Sequence, residues 1–289
     1  MKPWGIFCGV GAAAIWGGMY VVSKVVLEVI PPFSLITLRL LLGIAVLWLI
    51  VWRRGGLGFN RAQWLQVLGV GLVGYGISIG FQFVGTKLSN ASNGALITSS
   101  TPAFISLFAA WIMREKMTRR RLLALVISTA GVLAVLDIKT ARLSPDFFWG
   151  NLSLVAAAAT WALYSVLIRK VTRQLDTLRV SLVAFMGGLF LAVPAGLWEF
   201  QAQGIGRIDL NVLGGIFYLG VISTALAMFL WNTALATLEA SVASLTIFAQ
   251  PFVGALLGAW LLGEHLTPLF FLGGALIGVG LWLAAREVE

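Results

Sequence analysis

The 289-residue sequence predicts an all-α membrane protein with ten transmembrane helices in two inverted five-helix repeats and both termini cytoplasmic. Three observations carry that expectation. Hydrophobic residues make up 60% of the chain and charged residues only 11%, whereas a soluble domain needs about 25% charge to face water. Ten apolar runs approach the roughly 20 helical residues that span a hydrocarbon core. One part of each half-chain also recurs in the other half at a constant spacing.

The runs lie near Trp4–Ser23, Phe33–Trp52, Trp64–Gly85, Ser92–Met113 and Leu122–Leu136, then Gly150–Ile168, Val180–Trp198, Val212–Leu235, Ser241–Leu262 and Pro268–Ala285. Those starting at Leu122 and Pro268 are short. The stretch after Lys2 weakly resembles a cleaved signal peptide, but apolar character continues past Ala14, so it is read as the first helix.

Direction follows from Lys and Arg. With a cytoplasmic N-terminus, the inner segments hold Lys2, Arg53, Arg54, Arg61, Arg114, Lys116, Arg119, Arg120, Arg121, Arg169, Lys170, Arg173, Arg179 and Arg286. Only Lys24, Lys87, Lys139, Arg142 and Arg207 fall outside. This bias orients membrane helices. It also explains the net charge of +9 without a nucleic-acid partner. Cys8, the single cysteine, has no partner for an internal disulfide.

The repeat appears at a shift of 149 positions. Ala91-Ser92 returns as Ala240-Ser241, Pro102 as Pro251, Ala110-Trp111 as Ala259-Trp260, Glu115 as Glu264, Thr118 as Thr267 and Gly131 as Gly280. At a shift of 145, Ala12-Ala13-Ala14 and Trp16 return as Ala157-Ala158-Ala159 and Trp161. Five spans is an odd number, so the second copy enters the bilayer from the opposite side. The loop around Glu115 is accordingly rich in Arg and Lys, while the loop around Glu264 carries only His265. The repeats are expected over residues 1–137 and 147–285. Inverted repeats recur in secondary transporters, with the substrate near the midplane.

These stretches resemble the drug/metabolite transporter superfamily, specifically its ten-helix EamA-type exporters. The resemblance is carried by Asn93–Thr118 and Ala240–Gly280, by Ala14-Ile15-Trp16-Gly17-Gly18 and by Thr37-Leu38-Arg39. It covers essentially the whole chain. It implies ten helices in inverted repeats and export of small metabolites such as amino acids. Some members export aromatic amino acids and others move nucleosides. Two departures are visible: Arg114-Glu115 stands where the second copy has Gly263-Glu264, and Thr177-Leu178-Arg179 echoes Thr37-Leu38-Arg39 outside the repeat register.

Several residues invite two readings each. Glu115 and Glu264, at span ends, either ligate a coupling ion or cap helix N-termini and fix the connection. Capping is favoured, because a carboxylate suits the positive end of a helix. Pro102 and Pro251 lie inside apolar runs, where proline removes a backbone hydrogen bond and bends the helix. The nearby Ser100 and Gln250 either satisfy the freed carbonyls or contact substrate. Arg39 either snorkels to the headgroups or faces a cavity and binds a carboxylate. Trp16 and Trp161 are repeat partners at mid-span, with Tyr20 and Tyr164 following at helical spacing. With Tyr75, Ser78 and Gln82 on one helix face, they form either an aromatic-lined pocket or plain packing. Asn93 and Asn232 complete the candidate substrate contacts. Gly76/Gly80, Gly254/Gly258 and Gly274/Gly278 fit close helix packing.

No Asp or Glu falls in the middle of a span, which argues against proton-driven export of cations. No zinc-site motif, catalytic dyad or nucleotide-binding loop is present, so neither an enzyme nor an ATP-driven pump is expected. The sequence thus points to alternating access for a small neutral or zwitterionic solute, an aromatic or apolar amino acid first. A broad drug or nucleoside exporter is the alternative. No cofactor or metal is expected. The expected location is the inner (cytoplasmic) membrane, as a monomer or weak homodimer.

Overall fold

In lipid a backbone can satisfy its polar groups only as helix or closed barrel, and runs of this length and composition choose helix. The computed structural model describes residues 2–89, 97–98, 100–135, 148–262 and 268–286. Among them all regular structure is helical. The helices are α1 (Lys2–Leu27), α2 (Pro32–Arg53), α3 (Arg61–Leu88), α4 (Thr101–Met113), α5 (Arg119–Val135), α6 (Phe148–Thr172), α7 (Thr177–Gln203), α8 (Leu210–Thr237), α9 (240–262) and α10 (Pro268–Arg286). Five of these, α2, α3, α6, α7 and α8, are long and apolar enough to cross a membrane by themselves. Shorter apolar helical stretches among the described residues are Pro3–Met19, Thr101–Met113, Ala240–Gly254 and Phe271–Leu283.

Local chemistry sets the helix starts. Asn60 and Gln63 form a reciprocal capping box ahead of α3. Asp176 accepts from Arg179 N at 3.0 Å to open α7, and Asp209 from Val212 N at 2.8 Å to open α8, each satisfying a donor the helix leaves free. The first turn of α2 is capped from another helix: Phe33 N and Ser34 N donate to Glu199 Oε2 at 2.7 and 3.1 Å. Pro102 differs from the expected mid-helix kink. Among the described residues it sits in the first turn of α4, where its missing N–H costs nothing. Pro251 follows a tightened 3-10 turn, Thr246–Phe248, inside α9.

Cross-helix bonds define two ends of the bundle. At one end Arg179 donates to Leu57 O and Arg54 O, and the α4–α5 connection meets the end of α6 and the start of α9. The start of α1 lies there too, Gly5 resting on Thr237 and Leu238. This is the arginine-rich end. At the opposite end Gly206 N donates to Val29 O, and Ser153 Oγ to Phe81 O at 2.7 Å. Exposed tryptophans mark both ends: Trp4, Trp52 and Trp111 at the first, Trp149 and Trp198 at the second. Interfacial tryptophan belts of this kind flank a bilayer.

The packing repeats with a period of five helices. α1 packs on α8 and α9 as α6 packs on α3 and α4. α3 packs on α7 as α8 packs on α2, and the pairs α2–α7 and α5–α10 map onto themselves. A further correspondence was absent from the sequence reading: Leu72–Ser78 in α3 and Tyr218–Leu226 in α8 are both π-helical. Close approach of α1 and α9 needs glycine on both sides, since a Cβ on Gly17 would lie 2.9 Å from Gln250 O and 3.0 Å from Gly254 N. For Gly278, by contrast, no described atom lies within 4 Å of where a Cβ would sit.

Candidate substrate cavity

Where the two halves meet, a partly open cavity lies between α1, α2, α3, α4, α6, α8 and α9, a position between helices where small-molecule sites commonly occur. Six of the nominated residues line it: Trp16, Arg39, Ser78, Gln82, Trp161 and Gln250. Met19, Thr98, Thr101, Met228 and Ile247 join them. Trp16 and Trp161 meet edge to face at 5.6 Å between ring centroids. The Trp16 indole N–H donates to Ser223 O at 3.1 Å, and Gln250 Nε2 donates to Trp16 O at 3.5 Å.

Arg39 is fully buried, so the headgroup-snorkelling alternative is excluded. Its Nε donates to Thr224 Oγ1 at 2.7 Å and its Nη2 to Ser223 Oγ at 3.4 Å. The Met19 thioether lies 3.8 and 3.9 Å from its two terminal nitrogens. The guanidinium carbon sits 5.3 Å from the Phe83 ring centroid, a cation–π contact.

Three nominated residues lie behind the cavity instead of lining it. Tyr75, Tyr164 and Asn232, all fully buried, form a polar cluster behind it. The two tyrosine hydroxyls bond each other. Tyr164 donates to Asn232 Oδ1 at 2.8 Å, and Asn232 Nδ2 donates to Ser181 Oγ at 2.9 Å and Tyr75 Oη at 3.4 Å. They join α3, α6, α7 and α8 and support the Trp161 ring, which lies 4.8 Å from Tyr164. Each hydroxyl and amide in this cluster is hydrogen-bonded within it or to Ser181. Ser100 is also placed elsewhere: it is exposed, and its hydroxyl donates to Ile97 O at 2.6 Å. Thr101, the next residue, reaches the cavity instead. Asn93, Glu264 and the Tyr20 side chain lie outside the described residues.

What the sequence reading missed is the pair of π segments. Ser223 and Thr224, which hold Trp16 and Arg39, come from one; Tyr75 and Ser78 come from the other. A π segment widens the helix and turns extra side chains toward one face, and it often marks a functional site. Runs such as Gly74-Tyr75-Gly76 are the only trace of it in the sequence.

At the arginine-rich end a charge cluster joins the helix ends. Glu115 pairs with Arg169 at 2.8 Å, both side chains about nine-tenths buried. The same carboxylate accepts from Ala240 N at 3.1 Å, Ser241 N at 3.3 Å and Ser241 Oγ at 2.9 Å. Arg169 Nε donates to Leu238 O at 2.6 Å. Arg121 pairs with Glu239. First-half residues thus hold the N-terminus of α9 in the second half.

The family model for EamA-like transporters matches residues 3–136 and again 148–286. The chain belongs to the EamA-like transporter family. Its curated relatives are similar over nearly their full length. An uncharacterized transporter of Archaeoglobus fulgidus is 24% identical, covering 94% of each chain. The uncharacterized transporter YwfM of Bacillus subtilis is 28% identical over 93% of this chain and 90% of its own. A probable biotin transporter of Pseudomonas aeruginosa is 29% identical over 89% and 90%. A crystal structure of a protein 22% identical superposes with a TM-score of 0.82 over 100% of both chains, which establishes the likeness of fold. The protein is therefore a transporter of this family, built from membrane-type apolar helices.

Proposed function

We propose that this chain is a secondary transporter that exports a small metabolite by alternating access, through ten spans in inverted halves with both termini in the cytoplasm. The supporting observation is a cavity at the junction of the halves, lined by the repeat partners Trp16 and Trp161. Inverted repeats supply two interconvertible packings of similar energy, and rocking of one half against the other exchanges access.

The lining favours a solute with a flat apolar body and a few polar groups. Aromatic and apolar amino acids head the candidates, and the relative named a probable biotin transporter extends the class to other ring-bearing or apolar acids. Among the described residues the lining contains no Asp or Glu to alternate between proton and substrate. The solute is neutral or zwitterionic in this reading and moves down its gradient without proton coupling. No group of metal-ligating side chains occurs among the described residues, and no reaction chemistry is assigned.

The test is flux in liposomes with labelled amino acids, biotin, nucleosides and cationic drugs, with and without a pH gradient. Amino-acid or biotin flux that needs no gradient supports the proposal. Flux of cations alone, strictly dependent on pH, would overturn it. Gln82→Ala is expected to reduce flux severalfold without loss of folding, since Gln82 is a half-buried lining residue. Trp16→Ala is a poorer probe, because Trp16 also packs on Trp231 at 5.8 Å and bonds to α8.

A further inference from the structure

We infer that the cavity selects a solute of net negative charge, held through its carboxylate by Arg39. This rests on the proposal that the cavity is the substrate site, and it replaces the neutral or zwitterionic solute of that reading with a monoanion. Arg39 is fully buried, and at 1.5 Å rise per residue it lies about 10 Å along α2 from Pro32. A guanidinium has five N–H donors in a planar fork. Among the described residues, only Nε has a close oxygen partner, Thr224 Oγ1 at 2.7 Å. The terminal nitrogens have a distant hydroxyl at 3.4 Å and a thioether at 3.8 and 3.9 Å, and a thioether is a weak acceptor.

The surroundings aim this side chain. The Thr224 hydroxyl donates to Leu219 O at 2.7 Å, which turns its lone pairs toward Arg39 Nε. That anchors one edge of the fork in a residue that lines the cavity. The ion pairs formed by described side chains, Arg121–Glu239 and Arg169–Glu115, belong to the arginine-rich end. The rest of the described lining is uncharged. The cavity therefore holds one positive charge, and a buried charge of this kind calls for a counter-ion. A carboxylate matches the fork bidentately. An α-ammonium on the same solute would meet that charge with no carboxylate nearby to balance it. A deaminated acid would meet the same charge without that conflict.

Four probes of one ring size separate the cases: phenylacetate, phenylacetamide, phenylalanine and phenethylamine. Binding is read by competition against labelled phenylacetate and by thermal stabilisation of the purified full-length protein, and flux is read in liposomes. Phenylacetate is expected to bind about 10- to 100-fold more tightly than phenylacetamide, the range for a hydrogen-bonded charged group, with phenylalanine between them and phenethylamine weakest. Arg39→Gln should remove the preference for acid over amide. Arg39→Lys keeps the charge and loses the fork, so it should retain the preference with weaker binding; it also serves if the Gln variant does not fold. Equal binding of acid and amide, a preference that survives Arg39→Gln, or phenylalanine outranking phenylacetate overturns the inference. Binding that follows the expected order with no flux of any probe would instead overturn the transport reading and leave the carboxylate subsite standing.

Discussion

Arg114 shows how a single residue pins down a connection. Its φ of 55° is the one left-handed conformation of a non-glycine among the described residues, and it ends α4 so that Glu115 N reaches Ala109 O. The second copy of the repeat has glycine at this position. A residue with a Cβ costs about 1 kcal/mol in that region. Arg114→Gly is therefore expected to keep or slightly raise the unfolding temperature of the purified protein, and Arg114→Val to lower it. A fall with Gly comparable to that with Val would show that the arginine side chain matters more than its backbone. The departure was legible in the sequence, since Arg114 stands opposite Gly263; its backbone consequence was not. Arg39 illustrates the same limit. Its place in an apolar run was visible, but snorkelling and cavity-facing orientations differ only by rotation about the helix axis, which is set by the neighbours Thr224, Ser223 and Phe83.

Among the elements, α9 carries the clearest consequence. Its first turn is held by Glu115 from the other half, and its middle lines the cavity through Ile247 and Gln250. Arg169, the partner of Glu115, is about 12 Å along α6 from Trp161 at 1.5 Å per residue. The charge cluster thus lies about two helical turns beyond Trp161, toward the arginine-rich end. If the halves exchange access, this contact must open. Glu115→Gln loses the ion pair while keeping part of the cap, and should loosen that end. With Cys8 replaced and a cysteine placed at position 247, a membrane-impermeant thiol reagent is expected to label the parent only from the opposite end. Glu115→Gln or Arg169→Gln should add severalfold labelling from the arginine-rich side. Unchanged sidedness in both variants would reduce the cluster to a helix cap. Every apolar run of the sequence coincides with a helix in its described part, usually with a few residues added at each end, because window hydropathy sees the hydrocarbon-spanning part and caps such as Asn60, Asp176 and Asp209 set the true starts. The π segments escaped, since i→i+5 bonding leaves the average hydropathy unchanged.

For the whole molecule, α1 begins and α10 ends at the arginine-rich end. α5 and α10 run antiparallel, with Gly131 against Gly273 and Gly280 against Ser128, which brings Arg286 toward the start of α5. Positive loops stay in the cytoplasm. A fluorescent protein fused at either terminus should therefore fold and fluoresce inside the cell, and a protease added to intact spheroplasts should leave both fusions uncut. Cleavage of either fusion would reverse the assigned orientation. The five-helix periodicity of packing fits the family match to each half in turn and gives the proposed rocking motion a structural basis.

Taken alone, the sequence determined the lipid-facing character of this protein, its apolar spans and its recurring Pro, Trp and Glu positions. These properties are local or spaced along the covalent chain, and they survive without knowledge of contacts. Only the tertiary structure decided which polar groups face the cavity and which are consumed behind it. Asn232 meets Tyr75 across 157 positions and Arg39 meets Thr224 across 185. Helix packing, fixed by close glycine approaches and two π segments, sets those distances. No feature of hydropathy or spacing records them.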